Sequence, residues 1–408
     1  MHAPRMIHQR LPGLDLLRAL AIVWVMAYHL SSSVAGLPAL AESGWMGVDL
    51  FFVLSGFLIG GQVCAALQDP GGPRWRRYLL RRALRVLPAY LAVLALYLCF
   101  PAWRESPGLA PAWQFLSFTA NIFPDYLHYR AFSHAWSLCV EEHFYLLLPL
   151  AAGLLARRPS LRKTALFALA VLLGGILLRA WAWQTEVAPY AAVSAGPGAF
   201  LLRYVEHIYN PTWARLDGLL AGAVLGALRV FRPRCWAWMT ARGWPFLAGG
   251  LALVALAARL YDGVQVGAAG AVLGFPLLAL GFAGVLVGMA SPRTLPGRVA
   301  LPGARTVATL AFSLYLTHKA VFHLVDGQLG DWLAQSAPLA VAAHAAAALA
   351  VAALLHFAVE RPGLGLRERL EGQRMLGQRD RHDIAEAGQG RDEGQGAGAR
   401  AAAALERD

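Results

Sequence analysis

The chain has 408 residues, of which 58% are hydrophobic and only 15% charged, and its formal net charge is +12. Soluble globular domains carry about 25% charged and about 45–50% apolar residues. A mean hydropathy of +0.48 therefore excludes a set of small soluble domains, a disordered chain, collagen and a disulfide scaffold, and points to an all-α, polytopic membrane helix bundle.

A transmembrane helix needs about 20 mostly apolar residues. Ten runs meet that need, at 13–33, 46–66, 84–103, 136–156, 164–183, 212–230, 244–260, 267–290, 306–326 and 337–359. The first follows a basic stretch, residues 1–12. It carries Asp15 and Arg18 with no small-residue cleavage site after it, so it reads as a retained span rather than a removable signal peptide. The cysteines (Cys64, Cys99, Cys139, Cys235) form no CxxC and no cluster with histidine, which supports neither a disulfide framework nor a metal site. No internal repeat is visible.

The connections fall into two alternating sets. The loops at 67–83, 157–163, 231–243 and 291–305, with the N-terminus and adjoining span ends, hold nineteen Lys and Arg. The loops at 34–45, 104–135, 184–211, 261–266 and 327–336 hold three, Arg104, Arg130 and Arg203. The positive-inside rule assigns the first set to the cytoplasm. It predicts both termini inside and a multi-pass protein of the cytoplasmic (inner) membrane. Residues 13–360 form the membrane domain. The charged, Gly-rich residues 361–408 are expected to be a mostly disordered cytoplasmic tail, with a short amphipathic helix near 364–376.

Ionisable residues inside spans are costly and mark functional sites. In the first span, Asp15 and Arg18 share a face near the inner end. His29 lies eleven residues beyond Arg18, on the same stripe and about 16 Å along the axis. The second span, GVDLFFVLSGFLIGG, carries Asp49 near its outer end, while Ser55, Gly56, Gly60 and Gly61 read as helix packing. The fourth, SHAWSLCVEEHFYLLLPL, carries Glu141 and Glu142, and the sixth begins with Arg215 and Asp217. The ninth holds His318 and Lys319 past its midpoint. His29, Asp49, Glu141, Glu142, Arg215, Asp217, His318 and Lys319 are thus predicted to share one outer layer and one candidate site. Arg179 and Arg259 read as snorkelling or loop-pairing residues, and His344 and His356 as packing residues without an evident partner. The aromatics of the outer loops (Trp113, Tyr126, Tyr129, Tyr190, Tyr204, Tyr209) suit an interfacial belt better than sugar stacking.

The densest basic cluster is RWRRYLLRRALRVLPAY, residues 74–90. Six arginines in twelve positions suit phosphates, of lipid headgroups or of a phosphorylated cofactor. Arg82 and Arg85, three apart on one face, form a fork for one phosphate group. Basicity confined to one face of a membrane argues for the bilayer as a partner and against nucleic acid.

These segments resemble the acyltransferase-3 family of membrane acyltransferases. LPGLDLLRALAIVWVMAYH is similar to the family's first helix, with its basic residue, ten-residue spacer and histidine at Arg18 and His29. GVDLFFVLSGFLI resembles its second-helix signature, RRALRVLPAY its Arg-x-x-Arg segment at Arg82 and Arg85, and FSHAWSLCVEEHFYLLLPL its Trp-Ser-Leu-x-x-Glu region at Trp136, Ser137 and Glu141. RLDGLLAGAVLG and FSLYLTH are family-like too, and together the segments cover about residues 12–360. The resemblance implies transfer of an acyl group, most often acetyl, from cytoplasmic acyl-CoA to a hydroxyl of a carbohydrate acceptor such as a cell-surface polysaccharide.

Residue chemistry fits that reaction. His29 suits the general base, with Asp49 or Glu141 as its orienting carboxylate. Arg82 and Arg85 suit the CoA phosphates, with the pantetheine arm running outward along the stripe. Arg18 meets the donor or pairs with Asp15, and His318 and Lys319 suit the developing oxyanion. No metal is expected. Two other classes compete. A transporter or flippase of a polar metabolite would also explain intramembrane charge, although neither repeats nor paired broken helices appear. A non-catalytic scaffold would tolerate neutralisation of His29 or Glu141.

Overall fold

The computed structural model describes residues 11–191, 198–261 and 265–366. Each of the ten apolar runs is helical. The helices are α1 (Pro12–Leu30), α2 (Gly47–Leu67), α3 (Trp75–Cys99), α4 (Trp136–Ala156), α5 (Leu161–Ala182), α6 (Asp217–Phe231), α7 (Gly243–Arg259), α8 (Phe275–Met289), α9 (Ala304–Leu333) and α10 (Ala337–Leu355). Short helical segments fill the connections, and the described residues contain no strand beyond an isolated bridge between Leu109 and Ala131. Seven of the described helices are long and apolar enough to cross a membrane, or eight if α7 and Pro233–Ala241, bent by 79°, make one span. α6 is short at 15 residues. α9 has 30 residues, but Arg305, His318, Lys319, Asp326 and Asp331 lower its hydropathy. The last helix runs through a π-helical turn, His356–Glu360, to Leu366, past the expected domain end at 360. The tail from 367 onward, with most of its expected amphipathic helix, lies outside the described residues.

Helices in lipid gain little from burying apolar surface against one another, so small residues that let backbones touch decide who packs on whom. α2 and α6 cross on such residues. A Cβ on Gly56 would fall on the Leu219 carbonyl oxygen and one on Gly222 on that of Val53, while one on Gly60 would lie 2.7 Å from the Ala223 Cα. α1 lies against α2 and α8 through Leu14, Leu17, Leu50 and Leu286, and against α9 through Ile22, Leu310 and Leu314, with α10 packed on α9. Helix α1 is therefore the central post of the bundle, and the residues on its stripe face other helices rather than lipid.

The expected cost of Gly222→Val is about 1–3 kcal/mol of packing, seen as a lowered thermal midpoint in detergent. Gly174→Val, where an added Cβ meets nothing within 4 Å, should melt like wild type. Equal midpoints for the two variants would contradict the α2–α6 crossing.

Candidate active site

The eight residues predicted to share one layer separate into three groups, because equal distances from the ends of different helices are not equal depths in the bundle.

The first group is held by charge pairing and closes the walls. Arg215 is 1% exposed. Its Nη2 donates to Asp49 Oδ1 at 2.8 Å and its Nη1 to the Tyr209 carbonyl at 2.8 Å. The rings of Phe275, Tyr209 and Trp136 stand 4.0, 4.4 and 5.0 Å from the guanidinium carbon. Asp49 is thus turned to Arg215, and the expected hydrogen bond from a His29 ring N–H to Asp49 is not formed. Arg179 is fully buried, which overturns its reading as a snorkelling residue. It grips Asp217 with both terminal nitrogens, at 2.7 and 3.1 Å, and donates to the Ala214 and Val272 carbonyls. Arg215 lies in the turn before α6 and Asp217 at its first residue, and each takes its partner from another helix. Tyr209 belongs to this wall and not to an interfacial belt.

The second group lies where the basic loops are. Arg18 is 3.7 Å from Asp15. Arg82 approaches Glu142 at 3.6 Å and lies 3.8 Å over the Tyr145 ring. Its Nε is buried without a partner. Glu141 accepts a 2.6 Å hydrogen bond from Ser55, so Ser55 does more than pack, and Glu141 joins the arginines rather than His29. Arg85 is exposed and makes no hydrogen bond or ion pair among the described residues. The charges nearest it are those of Arg18, Arg82 and Glu360. Glu360 in turn accepts from Ser313 at 2.9 Å and lies 2.9 Å from His356 Nδ1, so His356 has a partner after all. Three guanidinium groups lie near one another here, one of them unpaired, an arrangement that can hold an anion carrying several phosphate oxygens.

The third group surrounds His29 at the opposite end of α1. Its ring is partly accessible and makes no hydrogen bond among the described residues. The His318 ring centre lies 5.1 Å from it, and that of His134 another 5.1 Å beyond His318. Lys319 bonds to Ser133 Oγ at 2.8 Å and to Glu105 Oε1 at 3.0 Å. An ammonium has three donors, so one remains for a substrate oxygen. Glu105 also accepts from the Phe132 N–H and the Tyr97 hydroxyl. Phe132 is buried at φ 56°, a left-handed conformation that a bulky residue adopts only under restraint. Glu105 and the stacked ring of Tyr97, 4.5 Å from Phe132, supply it. The strained turn sets Ser133 on Lys319 and His134 on His318. Tyr315 tightens the assembly, donating to the His134 carbonyl and accepting from Ser137.

Proton counting corrects one assignment. His318 Nδ1 faces only carbonyl oxygens, Leu314 at 3.1 Å and Tyr315 at 2.9 Å. A carbonyl can only accept, so Nδ1 carries the proton, and Nε2 of the neutral ring is a bare lone pair. His318 therefore has no N–H to offer an oxyanion, and of the two residues only Lys319 has a donor to spare.

Sequence reading passed over Glu105, Ser133, His134 and Tyr315. The first three lie in or beside an outer loop, where polarity costs nothing and draws no attention. His344 also gains a partner. Its Nε2 lies 2.9 Å from Asp326, which accepts from Ser33 just beyond His29, so this clasp steadies the end of α1. Between Arg18 and His29 the stripe is filled by Ile22 and Val25, 0% and 2% exposed, so the two ends of α1 are sealed from each other. A cavity of about 250 Å³ opens among the loops, lined by Phe123, Trp181, Trp213, Glu206 and His207.

The family model described as “Acyltransferase domain”, that of the acyltransferase-3 family, matches residues 11–357. The chain belongs to this family. Among curated proteins, 186 residues are 31% identical to “Putative peptidoglycan O-acetyltransferase YrhL” of Bacillus subtilis, covering 42% of this chain and 28% of that protein. “Peptidoglycan O-acetyltransferase OatA” of Listeria monocytogenes is 30% identical over 151 residues, 34% of this chain and 23% of that protein. The chain thus aligns with about a quarter of the length of these relatives. No solved structure matches the chain.

Breaking the wall pairs tests the division into groups. Arg179→Met leaves Asp217 buried and unpaired and is expected to cost about 3–5 kcal/mol, while Arg179→Met with Asp217→Leu should recover most of it. Thermal unfolding in detergent checks this, and an unaltered single variant would contradict a structural role for the pair.

Proposed function

We propose that this acyltransferase-3 protein is an integral membrane O-acyltransferase of the cytoplasmic membrane. It moves an acyl group, in the simplest case acetyl, from acyl-CoA on the basic, cytoplasmic side to a hydroxyl of a carbohydrate acceptor on the other side. The observation that carries the reading is that one helix, α1, holds Arg18 near an unpaired Arg85 at one end and a hydrogen-bond-free His29 near Lys319 at the other. The names of the YrhL and OatA relatives favour peptidoglycan or a related glycan as acceptor and acetyl as the group moved.

In this reading Arg18, Arg82 and Arg85 hold the phosphates of the donor, and its thioester reaches His29 once Ile22 and Val25 give way. His29 takes the proton of the acceptor hydroxyl as the oxygen attacks the thioester carbonyl. Lys319 offers its free N–H to the carbonyl oxygen while charge builds there. The carbon–sulfur bond then breaks, and the departing sulfur takes up the proton His29 received, leaving an ester and a free thiol. Phe123, Trp181 and Trp213 give flat apolar faces for sugar rings, and Glu206 gives a carboxylate for their hydroxyls.

Mass spectrometry of cell-surface glycans from a deletion strain should show the loss of one acyl modification, which identifies acyl group and acceptor together. In reconstituted protein, His29→Ala should lower turnover by about 10²–10⁴-fold. Arg85→Met should instead raise the KM for the acyl donor by about tenfold, the worth of a charge-assisted hydrogen bond. A glycan profile identical to the parent's, or wild-type turnover in His29→Ala, would overturn the reading.

A further inference from the structure

We infer that His318, and no carboxylate, is the residue that positions His29, by accepting a hydrogen bond from the His29 ring on its own bare nitrogen. This deepens the acyl-transfer reading above, on which His29's role as base rests.

A histidine that works as a base on one nitrogen needs its other N–H held, so that tautomer and ring orientation are fixed; a buried aspartate does this in the serine-protease triad. The carboxylates near His29 are engaged elsewhere. Asp49 is turned to Arg215, which holds its Oδ1, and its second oxygen is buried and makes no bond to His29. Glu141 is on Ser55, Glu105 on Lys319, Tyr97 and the Phe132 amide, and Asp326 on His344 and Ser33.

What remains is nitrogen. His318 Nδ1 is pinned by two backbone carbonyls, so its Nε2 is an acceptor, buried and without a partner. His134 behaves likewise. Its Nε2 bonds to the Leu316 carbonyl at 3.2 Å, which leaves Nδ1 a bare acceptor, also buried and unpartnered. Two bare acceptors cannot satisfy each other, and an unmade hydrogen bond in the interior costs about 1–3 kcal/mol. A donor has to come from a third group. His29 is that group. It touches His318 at 5.1 Å between ring centres, which leaves room for one N–H···N bond of about 2.9 Å. Its ring is held by no other hydrogen bond, so a turn about its last side-chain torsion, which is broad for histidine, brings an N–H into line. The remaining neighbours of the pair are the Tyr28 and Phe322 rings and the Lys319 ammonium, none of which offers His29 a better acceptor. The other nitrogen of His29 is then a lone pair aimed at the acceptor hydroxyl, and His134 Nδ1 awaits a substrate hydroxyl.

Two substitutions separate positioning from mere packing. His318→Gln places a carbonyl oxygen near the Nε2 position and keeps an acceptor for His29, whereas His318→Asn reproduces only the Nδ1 side. In the full-length protein in proteoliposomes, with acetyl-CoA and a peptidoglycan fragment, His318→Asn is expected to lose at least about 100-fold in kcat with the KM for acetyl-CoA unchanged. His318→Gln is expected to stay within about tenfold of wild type. A second readout needs no acyl transfer. Carbethoxylation of His29 by diethyl pyrocarbonate, followed by mass spectrometry, should be several-fold slower in His318→Asn than in wild type and His318→Gln, because a held N–H makes the opposite nitrogen the better nucleophile. Equal kcat losses in Gln and Asn, or unchanged His29 labelling in Asn, would overturn the positioning role. If the labelling pattern holds while wild-type protein transfers no acetyl group, the pair stands and the functional reading fails.

Discussion

The structure depends on the cost of placing charge where there is no water. An isolated ion in an apolar interior is expensive, and a buried pair is tolerated only when its geometry is good and its remaining hydrogen bonds are met. Arg179 with Asp217 meets that condition in full, its guanidinium taking both carboxylate oxygens and two backbone carbonyls. Arg215 with Asp49 meets it in part, through one carboxylate oxygen and the Tyr209 carbonyl, with Asp49 Oδ2 and Arg215 Nε unpartnered. These pairs join α2, α5 and α6 through their charges, while glycine contacts join α2 and α6 through their backbones. With the walls neutralised in this way, the polar groups left unsatisfied become informative. Some lie in the walls and loops, as Asp49 Oδ2 and Asn121 Oδ1, but others stand at the two ends of α1, as the unpaired Arg85 near Arg18 and the bare nitrogens of His318 and His134 beside His29.

That distribution suits a reaction between partners that approach from opposite sides. The arginine end matches a polyphosphate donor and the histidine end a hydroxyl. Ile22 and Val25 stand between them, held in two different apolar clusters with Leu314 and with Phe52 and Trp136. A permanent polar channel along α1 would leak ions. In the proposed reaction an apolar plug that yields to a thin acyl-bearing arm would not, at the cost of the packing it gives up. The clasp of Ser33, Asp326 and His344 ties down the end of α1 just past His29.

Much of this was legible in the residues. Ten apolar runs became ten helices because hydropathy over about 20 residues is a strong signal, and the eleven-residue interval from Arg18 to His29 places both on one stripe of α1. Partner choice was not legible. Asp217 bonds Arg179, thirty-eight residues upstream, and nothing local distinguishes that pairing from one with Arg215. Depth was misjudged for Glu141 and Glu142, because counting turns from a helix start ignores how far each helix is displaced along the bundle. The same error made Asp49 a candidate partner for His29. Glu105 escaped notice because an acid in a polar loop is unremarkable until folding sets it under Lys319 and the strained Phe132. The tautomers of His318 and His134 follow only from the backbone carbonyls that their rings happen to meet.

The central claim is that α1 links a donor seat on one face to a base on the other. It is tested most directly by sidedness in proteoliposomes of uniform orientation. Acetyl-CoA is supplied only on the side of the basic loops and a peptidoglycan fragment only on the opposite side. The account predicts acetylated saccharide in that arrangement and none when the two substrates are exchanged. Product that forms only when both substrates share one side would contradict it.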